Sequence, residues 1–487
     1  MADKHEVIEG LPLVVDLDGT LILSDLLYES TLKYVVTKPQ NLLALPLHLL
    51  AGKAKLKRHI ANQVTTDVTK LPYNLRFLEW LHTQKRNGRR LVLCTASDQS
   101  LADAVAKHLG IFDDVLGSDG TNNLAGKNKA LALKNFFGNN NYAYAGNSKS
   151  DLHVWEKCGA AIVVNAEKGI ETQLINNGKV EAIFPRSKVG IEGPISMLRV
   201  HQWLKNILLF LPFIASHDLG NIQSWITLVV AFFSFSFCAS VVYITNDLID
   251  LDSDRSHPRK KARVFASGKV SILSGVLLIP LLVAMSLFLA FHVSATFLNF
   301  LVLYFVWTCA YSIYLKRIPL FDCVTLAILY TLRVVAGAAA IGNVLSFWLA
   351  AFSVFIFLSL AFVKRYSEIH DLLLSKNKNL EKLVGRDYTS KDAPLILTMG
   401  IAAGYSATIV MALYLNSYEV TLLYPNIWAV WSAILVLVFW ISWMWFKANR
   451  GQMHDDPIIF ALRDKTSLVA GVSFTALMLL GARGLPW

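Results

Sequence analysis

The sequence predicts an N-terminal α/β domain followed by an all-α bundle of nine transmembrane helices. Three observations carry this reading. Short β-branched runs alternate with helical stretches up to about residue 190, the pattern of a parallel sheet with crossovers. From Trp203 onward the apolar runs lengthen to the roughly 20 residues that a bilayer requires. Among the loops of this second half, basic residues fall in alternate ones only. Composition agrees: of 487 residues, 54% are hydrophobic and 17% charged, against about 25% charged in an ordinary soluble domain. Disordered chains, fibrous repeats and small disulfide scaffolds are excluded.

In the first half, Leu13–Val15, Leu91–Cys94, Tyr142–Ala145 and Ala161–Val164 read as strands. The polar stretch Met1–Pro12 has no hydrophobic region of signal-peptide length, and a turn-rich stretch from Pro185 to Pro194 closes this half. The domains are therefore expected at 1–188 and 189–487. The nine candidate membrane helices are 200–216, 225–246, 271–291, 294–314, 321–341, 346–363, 395–415, 427–446 and 466–483. Loops 247–270, 315–320, 364–394 and 447–465 carry 19 Lys and Arg; the opposite turns at 217–224, 292–293, 342–345 and 416–426 carry none. The rule that positive loops stay inside puts the N-terminal domain and these four loops in the cytoplasm. A bacterial cytoplasmic membrane is the expected location. The net charge of +11 is thereby assigned to a membrane face and anionic substrates, since no nucleic-acid module is present. Cys94, Cys158, Cys238, Cys309 and Cys323 show no CxxC pair or metal spacing, which indicates a reducing compartment.

Asp16-Leu17-Asp18-Gly19-Thr20 follows the first strand. Carboxylates two residues apart on an extended chain point the same way. One can attack phosphorus while the other exchanges a proton with the leaving oxygen, and a bound magnesium would keep both from repelling a phosphate. A surface acidic turn would also read DxD. Three further segments bear on the choice: Leu91-Val92-Leu93-Cys94-Thr95-Ala96-Ser97 ends a strand in hydroxyls, Gly126-Lys127-Asn128-Lys129 supplies a lysine, and Gly146-Asn147-Ser148-Lys149-Ser150-Asp151 offers oxygen ligands.

In this order and spacing the four segments resemble the motifs of the haloacid dehalogenase phosphatase superfamily, over about residues 11–170. The resemblance implies a Rossmann-like fold with a small cap. It makes Asp16 the nucleophile and Asp18 the general acid/base. Thr95 and Lys129 would hold the phosphoryl group, with Lys127 as the alternative lysine. Mg2+ would lie on Asp16, Asp18, Asn147 and Asp151. Asn147 stands where the family commonly has an aspartate, leaving one charge fewer on the metal. Residues 25–75 fall where this superfamily inserts a cap. They are apolar (Leu42–Leu50) and then basic (Lys53, Lys55, Lys57, Arg58), which suits either a membrane surface or an ordinary amphipathic cap helix.

The second membrane helix ends in Asn246-Asp247-Leu248-Ile249-Asp250-Leu251-Asp252-Ser253-Asp254-Arg255. Ionisable groups at a membrane boundary are expensive and point to function. On a helix Asp247, Asp250 and Asp254 line one face while Asp252 points away. Three hard oxygen ligands suit Mg2+ carrying a diphosphate. The basic run His257-Pro258-Arg259-Lys260-Lys261-Ala262-Arg263 beside them suits a polyphosphate.

NDxxDxxxD among nine helices resembles the UbiA superfamily of intramembrane transferases, over about residues 195–487. Other members carry a second aspartate-rich motif between helices four and five. Here Tyr311–Asp322 holds the single Asp322, which argues against a prenyl diphosphate donor. Arg199–Asn206, Asp254–Pro258, the YSxxLK segment, Leu332–Gly337 and Lys364–Glu368 look like the decaprenyl-phosphate phosphoribosyltransferase branch, although Val264 replaces its usual proline. That resemblance implies transfer of 5-phosphoribose from phosphoribosyl diphosphate to a polyprenyl phosphate, with Mg2+ on Asp247, Asp250 and Asp254. Lys205, Asn246, Arg255, Lys260, Arg263, Lys316, Arg333, Lys364 and Arg365 become candidates for binding substrate phosphates. Asp322 would bind metal or a ribose hydroxyl, and Glu368 lies beside the lipid phosphate. Membrane lipids would surround the bundle, and a homo-oligomer is compatible with it. The fused phosphatase would remove the 5-phosphate of the lipid product, helped by tethering. An aromatic-ring prenyltransferase and a membrane-anchored phosphatase are the alternatives.

Overall fold

The computed structural model describes residues 10–186, 190, 192–216, 219–374, 382–383, 385–416, 424–453 and 456–483. Most of the polar N-terminus, and parts of the 185–194 linker and of the 217–224, 364–394, 416–426 and 447–465 connections, lie outside the described residues. The chain divides into two compact units: Met1–Met197 with Ile244–Ile279, and Leu198–Tyr243 with Pro280–Trp487.

In the first unit the elements run β1 (Leu13–Val15), α1 (Leu26–Thr37), α2 (Asn41–Leu50), α3 (Lys53–Gln63), α4 (Leu75–Arg86), β2 (Leu91–Asp98), α5 (Gln99–Leu109), β3 (Asp114–Ser118), α6 (Lys127–Phe137), β4 (Ala143–Gly146), α7 (Leu152–Trp155), β5 (Ala160–Val164), α8 (Ile170–Asn176) and β6 (Val180–Phe184). The strands form one parallel sheet in the order β3-β2-β1-β4-β5-β6. Its core follows from strand alternation: Leu13 and Val15 pack on one face with Leu91, Leu93 and Ile162, while Val14 packs on the other with Val92, Tyr144 and Trp155. Strand order reverses between β1 and β4, and the crevice at the carboxyl ends there is where such sheets bind ligands. Asp16 lies at that point. Strands β3 and β6 were not legible, because Asp114-Val115-Leu116-Gly117-Ser118 and the half-buried Val180–Phe184 lack continuous apolar runs.

After α9 (Glu192–Leu198) the chain forms a 3-10 helix, Val200–Phe210, and α10 (Leu211–Ala215). The remaining helices are α11 (Ile222–Ile249), α12 (Leu251–Ser256), α13 (Ile272–Val293), α14 (Ala295–Ile313), α15 (Phe321–Ala340), α16 (Phe347–Leu374), α17 (Ala393–Leu415), α18 (Ile427–Asn449), α19 (Pro457–Ala461) and α20 (Lys465–Arg483). Eight are long and apolar enough to cross a membrane among the described residues, which makes this a multi-pass integral membrane protein. The first of the nine expected spans is instead the 3-10 segment with α10. A 3-10 helix rises about 2.0 Å per residue, so these residues still extend about 29 Å. The sixth span runs well beyond 363, because Lys364, Arg365 and Glu368 continue the helix.

One close approach holds the 3-10 segment against α15. A methyl group on Gly337 would stand 2.0 Å from the Leu209 carbonyl oxygen. Gly337→Ala is expected to cost about 3 kcal/mol, visible as a lower unfolding temperature of the detergent-solubilised protein.

Candidate active sites

The first site gathers at the carboxyl end of β1. The Asp16 amide donates to the Ala145 carbonyl (3.0 Å), which fixes the turn, and Lys129 Nζ donates to Asp16 Oδ1 at 2.7 Å. Lys129 is buried and also meets Tyr144 Oη (3.0 Å) and Asp151 Oδ1 (3.7 Å), whereas Lys127 is exposed. Asp18 Oδ1 accepts from the Leu26 amide (2.8 Å) and Oδ2 from Ser97 Oγ (2.7 Å) and Thr95 Oγ1 (3.3 Å). Gly19 has φ +74°, and a side chain there would run into Asn147, whose amide nitrogen would stand 2.1 Å from its Cβ. Sequence order thus brings Asp16, Asp18, Thr95, Lys129 and Asn147 to one crevice.

Burial pushes the Asp16 carboxyl up to about 7, with Lys129 opposing it and Asp151 and Asp18 adding to it. Burial likewise pushes Asp18 up to about 6, assisted by the Asp25 charge. Asp18 therefore carries a proton below about pH 6. A turnover that needs Asp18 to protonate a poor leaving group is expected to fall as pH rises through that value. p-Nitrophenyl phosphate, whose leaving group needs no proton, should lack this limb, and paired pH–rate profiles check it.

Asp151, expected as a magnesium ligand, is taken up by protein donors at both oxygens. Oδ1 accepts from Tyr144 Oη (2.7 Å), and Oδ2 from the Asn147 and Ser148 amides and Ser148 Oγ. Its carboxyl is held low: burial opposes this, but Lys129 and these hydrogen bonds prevail. Asp18 is similarly occupied. Among the described residues no three His, Cys, Asp or Glu side chains come together as a metal cluster. The hard oxygens that suit a magnesium ion here belong to Asp16 and Asn147. Tyr144 and Lys57, which also reach this crevice, were not singled out by the sequence. Lys57 reaches from α3 to the Ala96 carbonyl (2.6 Å) and Asn123 Oδ1 (3.0 Å).

The acidic motif, also in the first unit, bends at Asp250, which caps α12. Arg263 Nη1 lies 3.1 Å from Asp247 Oδ1 and 2.6 Å from Asp254 Oδ2, so a guanidinium gathers the two buried carboxylates. Both carboxylates are hard oxygen donors of the kind Mg2+ takes, though Arg263 occupies one oxygen of each; Asp250 is half-buried between them in sequence. Asp252 points away, to Lys33 (2.8 Å). Arg255, expected on substrate, instead grips Glu29 through two bonds (2.9 and 2.6 Å) and donates to the Ala266 carbonyl. Lys260 is exposed, and Asn246 is half-buried near the end of α11.

In the second unit, Lys205 Nζ donates to Asp456 Oδ2 at 2.7 Å, and Lys364 approaches the same oxygen at 3.5 Å. Tyr330 Oη (3.2 Å) and the Ile458 amide (3.2 Å) complete the surroundings of Asp456. Arg333 is satisfied inside the bundle by Asn206 Oδ1, the Leu329 carbonyl and Tyr304 Oη. Arg333 and Gly337, one turn apart on α15, thus both serve contact with the 3-10 segment. Asp322 is fully buried: Tyr388 Oη and the Cys323 amide occupy Oδ1, and Arg365 Nη2 lies 2.5 Å from Oδ2. Both of its oxygens face protein groups. Arg365 and Arg386 converge on Glu368, and Lys316 is half-buried in the 3-10 turn Leu315–Arg317. Asp456 was missed altogether; its only signal is an acidic residue before proline in a basic loop at a membrane boundary.

Comparison with known proteins agrees with both halves. Residues 208–463 match the UbiA prenyltransferase family and residues 13–156 the haloacid dehalogenase-like hydrolases. An uncharacterized protein, y4nM of Sinorhizobium fredii, is 35% identical over 463 residues, covering 95% of this chain and 89% of that one. Nodulation protein NoeC of Azorhizobium caulinodans is 32% identical over 56% of this chain and 87% of its own. Decaprenyl-phosphate phosphoribosyltransferase of Mycobacterium tuberculosis is 26% identical over 59% of this chain and 93% of its own. The chain is thus an enzyme that belongs to the UbiA prenyltransferase family, has decaprenyl-phosphate phosphoribosyltransferases among its homologues, and carries a haloacid dehalogenase-like domain at its N-terminus.

Proposed function

We propose that residues 189–487 transfer 5-phosphoribose from phosphoribosyl diphosphate to a polyprenyl phosphate of the decaprenyl kind, and that residues 1–188 remove the 5-phosphate from the lipid product. The observation that carries the first half is the Asp247–Arg263–Asp254 cluster at the end of a membrane helix, in a chain with phosphoribosyltransferase relatives. An oxygen of the acceptor phosphate attacks C1 of ribose as the C1–O bond to diphosphate breaks. The acceptor is already anionic, so no strong base is required. Asp247 and Asp254, with Asp250, would hold Mg2+, which supplies positive charge to the departing diphosphate. Arg263 and Lys260 bind donor phosphates, and Lys205 and Lys364, ordered by Asp456, bind phosphate oxygens in the bundle. Arg255, Arg333, Arg365 and Asp322 position these groups. The sequestered Asp322 favours this donor over a prenyl diphosphate.

In the phosphatase half, an Asp16 oxygen attacks phosphorus and Asp18 protonates the leaving ribose oxygen. Water then attacks the aspartyl-phosphate, giving its proton to Asp18. Thr95, Lys129 and Asn147 surround the phosphoryl group. In this reading the domain works at the cytoplasmic face of a bacterial inner membrane, a side that the asymmetry of basic loops supports.

Lys129→Ala should lower phosphatase turnover by at least about a hundredfold and leave transfer intact, so that the 5-phosphorylated lipid accumulates. Mass spectrometry of extracted lipids reads both effects. Loss of transfer in the same variant would contradict the assignment of separate sites.

A further inference from the structure

The cap helix α2 has a composition and exposure that the phosphatase chemistry does not explain. Its sequence is Asn41-Leu42-Leu43-Ala44-Leu45-Pro46-Leu47-His48-Leu49-Leu50. Leu45 turns inward to Tyr34, Leu56, Ile60 and Val64. The other five leucines are uncovered: Leu43 is 83% exposed, Leu50 86%, Leu47 69%, and Leu42 and Leu49 more than half. So large an apolar face on one short helix marks an interaction surface.

Charge identifies the occupant. Between Glu29 and Asp67 there is no acidic residue, but there are Lys33, Lys38, Lys53, Lys55, Lys57 and Arg58. Lys38, Lys53 and Lys55 are exposed at the two ends of α2. An apolar face flanked by lysines fits the acyl–headgroup boundary of an anionic bilayer. Position fits as well. Glu29 and Lys33 on α1 are fixed to Arg255 and Asp252, just beyond the end of membrane helix α11. Asn41 follows Lys33 by eight residues, which reach at most about 28 Å.

The same helix is joined to the catalytic crevice. His48 stacks on His59 of α3 at 4.1 Å. From α3, Lys57 binds the Ala96 carbonyl and Asn123, and Arg58 binds Asp98 at 3.0 Å. Whatever holds α2 therefore also sets the mouth of the Asp16 site.

We propose that α2 and its flanking lysines dock the phosphatase cap on the bilayer surface, so that the Asp16 site takes a lipid-linked phosphate in preference to a soluble one. The substrate half of this inference rests on the phosphatase reading above; the docking half does not.

The test uses the full chain in vesicles of phosphatidylglycerol and phosphatidylcholine. Cys309, the one cysteine that is not buried, is replaced by alanine and bimane is attached at Leu43→Cys. Brominated phosphatidylcholine should quench the label at least twofold. An unquenched label overturns the docking, and disulfide cross-linking between copies at that position would give the face to a second copy instead. The triple variant Leu43→Asp, Leu47→Asp, Leu50→Asp should lose at least tenfold in kcat/KM on vesicle-borne polyprenyl-phosphoryl ribose 5-phosphate and be unchanged on free ribose 5-phosphate. Equal effects on both substrates overturn the preference. If the unaltered protein hydrolyses neither, the phosphatase reading fails, and the quenching alone decides the docking.

Discussion

Asp456→Ala is expected to reduce phosphoribosyl transfer by at least about a hundredfold, because it strands two lysines. Lys205 and Lys364 both point at Asp456, with Tyr330 and the Ile458 amide on the same carboxylate. Burial raises the Asp456 carboxyl, yet the two lysine charges hold it well below the usual carboxylate range. Removing one member of such a buried cluster costs about 3–5 kcal/mol, since the remaining charges lose their counter-ion. Lys205 and Lys364 would then repel each other and leave the geometry proposed for meeting phosphate oxygens. Asp456→Asn separates charge from shape: it keeps groups for Tyr330 and Ile458 and should retain the fold while still losing transfer. Initial rates with phosphoribosyl diphosphate, alongside unfolding temperatures, check this. Unaltered rates in Asp456→Asn would mean that the Asp456 charge has no part in transfer.

Glu29→Ala should destabilise the first unit by about 3–5 kcal/mol, again because it leaves a buried arginine unpaired. Arg255 forms a two-bond ion pair with Glu29 and follows Asp254 directly, and Ser24 Oγ also donates to Glu29 (2.5 Å). Loosening Arg255 would disturb the carboxylate next to it, so transfer should fall together with stability, although Glu29 lies in the other half of the sequence. The exchanged pair Glu29→Arg with Arg255→Glu should recover much of both losses. Thermal unfolding and transfer rates of the two single variants and the double variant measure this coupling. Additive losses, with no recovery in the double variant, would mean that the pair does no positioning.

Much of the architecture was legible because its signals are local. Leu13–Val15 is a continuous apolar run, and eight membrane helices announce themselves by length and composition. Motif spacing also led to Asp16, Asp18, Thr95 and Lys129, which the turn after β1, strand β2 and the start of α6 bring together. What escaped depends on distant partners. Arg255 belongs to a polyphosphate-like basic run, but Glu29, 226 positions away, claims it. Asp322 reads as a ligand until Arg365 and Tyr388 are seen to close over it. Asp456 has no motif and becomes visible only when the chain returns it to Lys205. The first expected span was misjudged as an α-helix because a 3-10 helix leaves no apolar period of its own in so hydrophobic a stretch.

The proposed reaction sequence makes a phosphoribosylated lipid and then dephosphorylates it. Membranes containing the Asp16→Ala protein, incubated with phosphoribosyl diphosphate, decaprenyl phosphate and Mg2+, test it by mass spectrometry of the extracted lipids. A new lipid heavier by one phosphoribosyl unit is expected, absent with Asp250→Ala, and its 5-dephosphorylated form when Asp16 is intact. Folded protein that yields no such lipid, yet attaches a prenyl diphosphate to 4-hydroxybenzoate, would contradict it.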